Sequence, residues 1–176
     1  LGAASVADVG FRTNGLAIVA ADTDMLRYTP ERSARFWEDA VRRVQAIGGV
    51  EQVALASRLP FSLNYNRNNI AVPGRQRSAD EMGATINSAI VSGHYFETLG
   101  VAHVAGRDFA AADTPEKPRV AIINETMARR YWPEASAVGR IVYERTLDSG
   151  KPIEIVAVVR DHKLLTVGEP PQAAIY

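Results

Sequence analysis

Residues 30–49 read PERSARFWEDAVRRVQAIGG, and their periodicity sets the reading of the first third of the chain. Thr29 is a natural N-cap, and Pro30 fits the first helical position, where a missing N–H costs nothing. Glu31 lies in the first turn, where the helix dipole favours an acid. Trp37, Ala40, Val41, Val44 and Ile47 recur at threes and fours, one face of a 3.6-residue period. Arg35, Glu38, Asp39, Arg42 and Arg43 take the other faces. Gly48-Gly49 then ends the helix. Apolar runs flank it, Leu16–Asp22 (LAIVAAD) before and Val50–Ser57 (VEQVALAS) after. Strand, helix and strand over roughly 45 residues predict a β-α-β unit. Its crossover is right-handed if both strands lie parallel in one sheet.

Beyond residue 58 the character changes. Asn64, Asn66, Asn68, Asn69, Pro60, Pro73 and Gly74 break regularity around one short strand, Asn69–Val72. Ala84–Val91 alternates as a strand. Ser92 is placed as the N-cap of a short helix carrying Tyr95, Phe96 and Leu99 on one face, with Gly100 closing it. Val101–Val104 is extended and Gly106–Pro118 is loop. Arg119–Ile123 runs into Asn124, a good N-cap, and the helix Glu125–Trp132 stops before Pro133. Arg140–Thr146 and Ile153–Arg160 are two further strands, joined by the hairpin signal Asp148-Ser149-Gly150. The tail, with Pro170-Pro171, is extended. A β-α-β unit followed by a strand-rich segment with two short helices makes the fold class α+β.

Composition limits function. The 176 residues carry 20 Lys+Arg against 20 Asp+Glu, so the net charge is zero, and 47% are apolar. This is a globular balance, and it argues against a dedicated nucleic-acid binder, which needs a cationic surplus. There is no Cys, which excludes disulfides, thiolate catalysis and Cys-based metal sites. No run approaches the ~18 apolar residues of a membrane span. The start, Leu1–Gly10, has neither an initiator Met nor a basic leader and reads as cut from a longer chain.

No reaction centre stands out. Phosphate-cradling glycine motifs are missing, and Gly48-Gly49 ends a helix instead of opening one. His94, His103 and His162 share no metal-ligand spacing. Asp161-His162 is a local acid–histidine pair, but no Ser sits in a nucleophile elbow, and Ser57 and Ser62 have no base nearby. Asp22 and Asp24 read as a solvated turn after a strand end. Asp108 and Asp113 lack a clustered third oxygen donor for calcium. Arg58, Arg67, Arg75 and Arg77 read as an exposed basic loop. Leu59, Phe61, Leu63 and Tyr65 are different. Large apolar residues beside an Asn-rich loop either tuck beneath it or present a contact patch to a partner or cargo.

VSGHYFETLGVAHVAGRDF (Val91–Phe109), VAIINETMARRYWP (Val120–Pro133) and VGR (Val138–Arg140) together resemble the MacB-like periplasmic core domain of ABC-transporter permeases of the MacB/FtsX-like class. DVGFRTNGL (Asp8–Leu16), IGGVEQVALASRLP (Ile47–Pro60) and VAVVRDHK (Val156–Lys163) fit the same pattern, so the resemblance covers almost the whole chain. It implies a porter-like β-α-β half unit over residues 1–58 and a small Sabre-like α/β subdomain over residues 59–176. The family's second porter unit is not in this sequence. Its absence leaves an apolar face uncovered, and the isolated chain is expected to self-associate or to be mobile over residues 16–57. The resemblance further implies a non-enzymatic domain without cofactor or metal on the periplasmic face of a bacterial inner membrane. Its implied partners are the permease's own transmembrane helices, a cytoplasmic ATP-binding domain or subunit, a second permease copy, and an adaptor or cargo. The alternative is a soluble ligand-sensing module, and a hydrolase built on Asp161 and His162 is a third reading.

Overall fold

The helix expected after Thr29 is present. In the computed structural model, which describes residues 8–62, 66–74, 84–144 and 150–176, α1 spans Pro30–Gln45, and the Thr29 hydroxyl accepts from the Arg32 N–H. The turn before it is pinned to its first residues. Thr23 Oγ1 lies 2.8 Å from Ser33 Oγ, Tyr28 packs edge-on to Phe36, and the Arg32 guanidinium sits 4.0 Å over the Tyr28 ring.

The flanking strands are not formed. Residues 16–22 and 50–55 pair with nothing as strands, and only Ala56 makes an isolated bridge, to Val91. The expected β-α-β unit is therefore corrected to one helix between extended segments. The physical reason is that an apolar run becomes a strand only where it meets an edge in register: residues 16–22 pair with none, and the 50–57 run meets residues 90–92 only around Ala56. In consequence α1 buries none of its residues, and Ile18 and Val19 remain 70% and 83% exposed.

The rest of the chain builds one sheet. β1 (Asn66–Ala71) and β2 (Ala84–Ser88) are antiparallel. α2 spans Tyr95–Leu99 and β3 His103–Gly106. β4 (Arg119–Asn124) leads directly into α3 (Glu125–Tyr131). β5 (Ile141–Glu144) and β6 (Pro152–Val159) form the expected hairpin pairing, although Asp148 and Ser149 of its turn lie outside the described residues. β7 is the two-residue strand Ala174–Ile175 in what the sequence suggested was a plain extended tail. The strand order is β3-β6-β4-β7-β2-β1-β5, and a further β5–β6 pairing closes six of the seven strands into a ring. Closure removes open edges. β3 alone hangs outside, on the edge of β6 that β5 leaves free.

Alternation sorts the apolar residues into two layers. Ile70, Ile86, Ala121, Ile123, Val142, Ile153, Ile155 and Ile175 share one cluster with Met127 of α3. Ile122, Val156, Ala157, Val159 and Ala174 point to the other face and pack with Tyr95, Phe96 and Leu99 of α2. The register slips between Ala121 and Ile122, which oppose Ile155 and Ala157. Val156 is thus the extra residue of a bulge, and it and Ala157 both face the outer layer. Gly106 crosses that bulge so closely that a Cβ would lie 2.0 Å from the Val156 carbonyl oxygen.

Two caps differ in kind. Asn124 caps α3 as expected, its Oδ1 accepting from the Met127 N–H. Ser92 does not cap α2. His94 holds that position in the left-handed region, φ 64°, and Ser92 Oγ instead accepts from the Leu55 N–H, tying the N-terminal segment to the sheet.

A candidate contact ledge at Phe61

Residues 59–62 pass over the outer layer of the ring. Leu59 is half-buried and packs into the α2-side cluster. Phe61 is 39% exposed with φ 64°. Its N–H donates to the Leu164 carbonyl at 2.7 Å, while Ser62 closes the turn through its N–H to the Leu59 carbonyl and its hydroxyl to the Leu59 N–H. The two contact candidates therefore divide: Leu59 tucks under and Phe61 looks outward. Leu63 and Tyr65 lie outside the described residues, as do Arg75 and Arg77.

Phe61 does not stand alone. Its ring lies 5.6 Å from that of Phe11, which meets His162 edge-on at 6.3 Å. His162 stacks on Tyr176 at 5.9 Å, and Tyr176 meets Phe96 edge-on at 5.0 Å. The ledge thus runs from the exposed Phe61 ring down into the core. Sequence reasoning did not find Phe11 or Tyr176, because only folding brings residues 11, 61, 162 and 176 together.

His162 is buried, and the loss of solvation pushes its pKa down against the opposing pull of the Arg160 carbonyl, Asp161 and Glu169. The neutral ring fits its surroundings. The Tyr176 hydroxyl lies 3.0 Å from Nε2, and Nδ1 faces the Arg160 carbonyl at 3.4 Å. Asp161 does not pair with it. The Asp161 carboxylate accepts from the Thr126 N–H and hydroxyl, both at 2.8 Å, and from Arg129. The sequence-adjacent pair is therefore split: Asp161 braces α3, and His162 braces the ledge. Beneath it, Glu169 holds the segment after His162 in place by accepting from the Leu164 and Leu165 N–H groups and from Gln172.

The other flagged residues have local roles. Asp22 Oδ1 accepts from the Asp24 and Met25 N–H groups, the solvated turn expected there. Asp113 takes two hydrogen bonds from Arg107, at 2.7 and 2.8 Å, and these hold its carboxyl below the usual range. Asp108 accepts from the His94 and Phe109 N–H groups. Among the described residues no three His, Asp or Glu side chains converge as metal ligands would, and no helix is long and apolar enough to cross a membrane.

Comparison with known proteins finds the signature of the MacB-like periplasmic core domain over residues 4–175. The chain is 24% identical over 125 residues to YknZ of Bacillus subtilis (strain 168), named as an uncharacterized ABC transporter permease. Its fold is like that of the periplasmic region of MacB from Actinobacillus actinomycetemcomitans, with a TM-score of 0.53 at 13% identity over 78% of this chain and 53% of that one. The extracellular domain of YknZ from Gram-positive bacteria aligns with a TM-score of 0.49 at 20% identity, over 79% of this chain and 60% of that one. The chain spans 27% of the length of full YknZ.

Proposed function

The chain belongs to the MacB-like periplasmic core domain family, and we propose that it is the extracytoplasmic domain of an ABC-transporter permease that relays ATP-driven movement by changing shape. The family signature, running over residues 4–175, is the observation that carries this reading. In this view residues 1–58 are a porter-like half unit and residues 59–176 a Sabre-like subdomain. The closed ring supports such a division, since its strands bond to one another all the way round, whereas α1 buries none of its residues. Among the described residues, four backbone bonds join the two parts, from Lys163 N–H to the Val9 carbonyl, Arg12 N–H to the Leu99 carbonyl, Ser57 N–H to the Ile90 carbonyl and Ser92 N–H to the Leu55 carbonyl, and Phe11, Leu16, Ala54 and Ala56 pack against the α2-side cluster. The partners are the permease's transmembrane helices, its ATP-binding subunit and a second permease copy, with Leu59, Phe61, Leu63 and Tyr65 meeting an adaptor or cargo. The chemistry belongs to the ATP-binding subunit.

The test uses the absence of Cys in this chain. Arg43→Cys on α1 and Glu134→Cys after α3, both exposed, take spin labels in the membrane-embedded permease. ATP is expected to shift the distance between the labels. Identical distance distributions with and without ATP would overturn mechanical relay through this domain.

A further inference from the structure

The segment between Phe11 and Leu16 carries a reactive dipeptide. Asn14 is followed by Gly15, and no other Asn of the chain precedes a glycine. Thr13, Asn14 and Gly15 are all exposed and lie outside helix and strand. Neither the Asn14 side chain nor the Gly15 N–H is engaged in a hydrogen bond among the described residues. Gly15 sits at φ 72°, and a Cβ placed on it would meet nothing within 4 Å. The other described asparagines differ on each count. Asn66, Asn68 and Asn69 are held in β1 by its pairing with β2. Asn87 and Asn124 are buried and donate hydrogen bonds through their side chains. After each of these five the next residue carries a side chain that crowds its backbone nitrogen.

An exposed Asn–Gly pair of this kind supports an acyl transfer within the chain. The Gly15 backbone nitrogen, having given its proton to hydroxide, attacks the Asn14 side-chain carbonyl carbon. A bond forms from that nitrogen to Cγ and closes a five-membered succinimide. The bond from Cγ to Nδ2 breaks, and Nδ2 takes a proton from water and leaves as ammonia. A second water opens the ring. Attack at the side-chain carbonyl gives aspartate, and attack at the main-chain carbonyl gives isoaspartate, in which the chain runs through the former side chain. The sum is one amide and one water giving one carboxylic acid and one ammonia, with nothing oxidised or reduced. Glycine favours closure because it has no Cβ to obstruct the approach and turns freely about its own bonds.

From this we infer that Asn14 is a site of spontaneous modification in the folded protein, converting to aspartate and isoaspartate through the Gly15 nitrogen. The inference does not depend on the proposed function. Its position gives the change a structural consequence. On one side Arg12 is fastened by its N–H to the Leu99 carbonyl at 2.7 Å and by its guanidinium to the Glu97 carbonyl. On the other side Leu16 packs against the α2-side cluster. Isoaspartate lengthens the chain between these two anchors by one methylene, and so slackens the hold on Arg12.

The experiment ages the intact protein in warm, mildly alkaline buffer, with circular dichroism showing that it stays folded. Trypsin then releases Thr13–Arg27, which contains one Asn and no Gln, so exchange of NH for O in its mass reports Asn14 alone. Unaged protein digested in the same way is the blank, and the same peptide aged free in solution sets the unhindered rate. The protein is expected to convert within about tenfold of that rate, because opening a segment without hydrogen bonds costs almost nothing, and to give two products with isoaspartate in excess. Asn14→Gln is expected to stop the conversion, since its ring would need six members, and Gly15→Ala to slow it at least tenfold. Conversion slower than that bound overturns the inference, because the fold then shields the site. Aspartate as the sole product overturns it too, since that means direct hydrolysis without the ring. The junction is read separately. Amide exchange at Arg12 is expected to be faster in the isoaspartate form than in Asn14→Asp, which has the charge without the extra methylene, and equal exchange overturns the slackening.

Discussion

Replacing Asn124 with Ala should be among the most costly single changes in this domain, and the structure says why. The side chain is 1% exposed and makes three hydrogen bonds. Oδ1 accepts from Met127 N–H at 3.1 Å, capping α3, and from Ala174 N–H at 2.9 Å. Nδ2 donates to the Gln172 carbonyl at 2.7 Å. Loss of an N-cap costs roughly 0.5–2 kcal/mol. Leaving the Ala174 N–H and the Gln172 carbonyl buried without partners adds about 1–3 kcal/mol. Because the bonds share one side chain, the two figures do not simply add, and a loss of about 2–4 kcal/mol is expected. For a domain of this size that lowers Tm by roughly 5–15 °C. Denaturant titration gives the free energy, and amide exchange gives the location. Protection should fall at Met127 and Ala174 and hold at the centre of β6. A loss under about 0.5 kcal/mol, the range of an ordinary surface change, would refute the idea that Asn124 locks β7 into the ring.

Gly106→Ala should cost at least about 2 kcal/mol, from positive φ together with overlap on the Val156 carbonyl, whereas Gly139→Ala, at φ 83° with open space around it, should cost about 1 kcal/mol; paired denaturation curves check the difference. Stability should decline as pH falls below about 6.5, because His162 is held neutral by burial. Its depressed pKa contributes stability that is complete above the unfolded value and lost as pH falls through the folded one. His162→Asn should flatten the midpoint-versus-pH curve between pH 7.5 and 5, and an unchanged slope would refute this. Leu59→Ser should destabilise by about 2 kcal/mol and Phe61→Ser by under 1 kcal/mol, since only Leu59 is packed into the core; equal losses in thermal melts would count against reading Phe61 as an outward contact.

What the sequence disclosed follows from the range of the signals. Caps and breakers act within one turn of chain, so α1 after Thr29 and α3 between Asn124 and Pro133 were legible almost to the residue. Closure of the ring was not, because it depends on Ile70 meeting Glu144 and Ser88 meeting Ile175, pairings that leave no local trace. The bulge at Val156 was hidden for a related reason: an unbroken apolar run, IVAVV, gives no sign of which residue is extra. Leu16–Asp22 failed in the opposite direction, showing a strand's composition without a partner edge. At the ledge, Phe61 was flagged for its size beside a polar loop, but its neighbours arrive from positions 11, 162 and 176. The adjacency of Asp161 and His162 misled most directly, since consecutive residues of an extended segment point to opposite sides and here serve different elements.

The two-residue β7 also governs the order in which the protein can assemble. Its pairings join residues 87 and 88 to residues 174 and 175 and reach residue 123 on the other side, so the wall between β2 and β4 is bridged by residues that leave the ribosome well after both of those strands. Until they emerge, the nascent chain holds a β1–β2 hairpin and a β4–β6 pair with Ile86 and Ile123 open to water. Such contacts, distant in sequence, form slowly because a long loop must close before they give any return. The ring therefore closes only once residues 174 and 175 have emerged and not along the way, and its half-built forms are the ones that need shielding from one another.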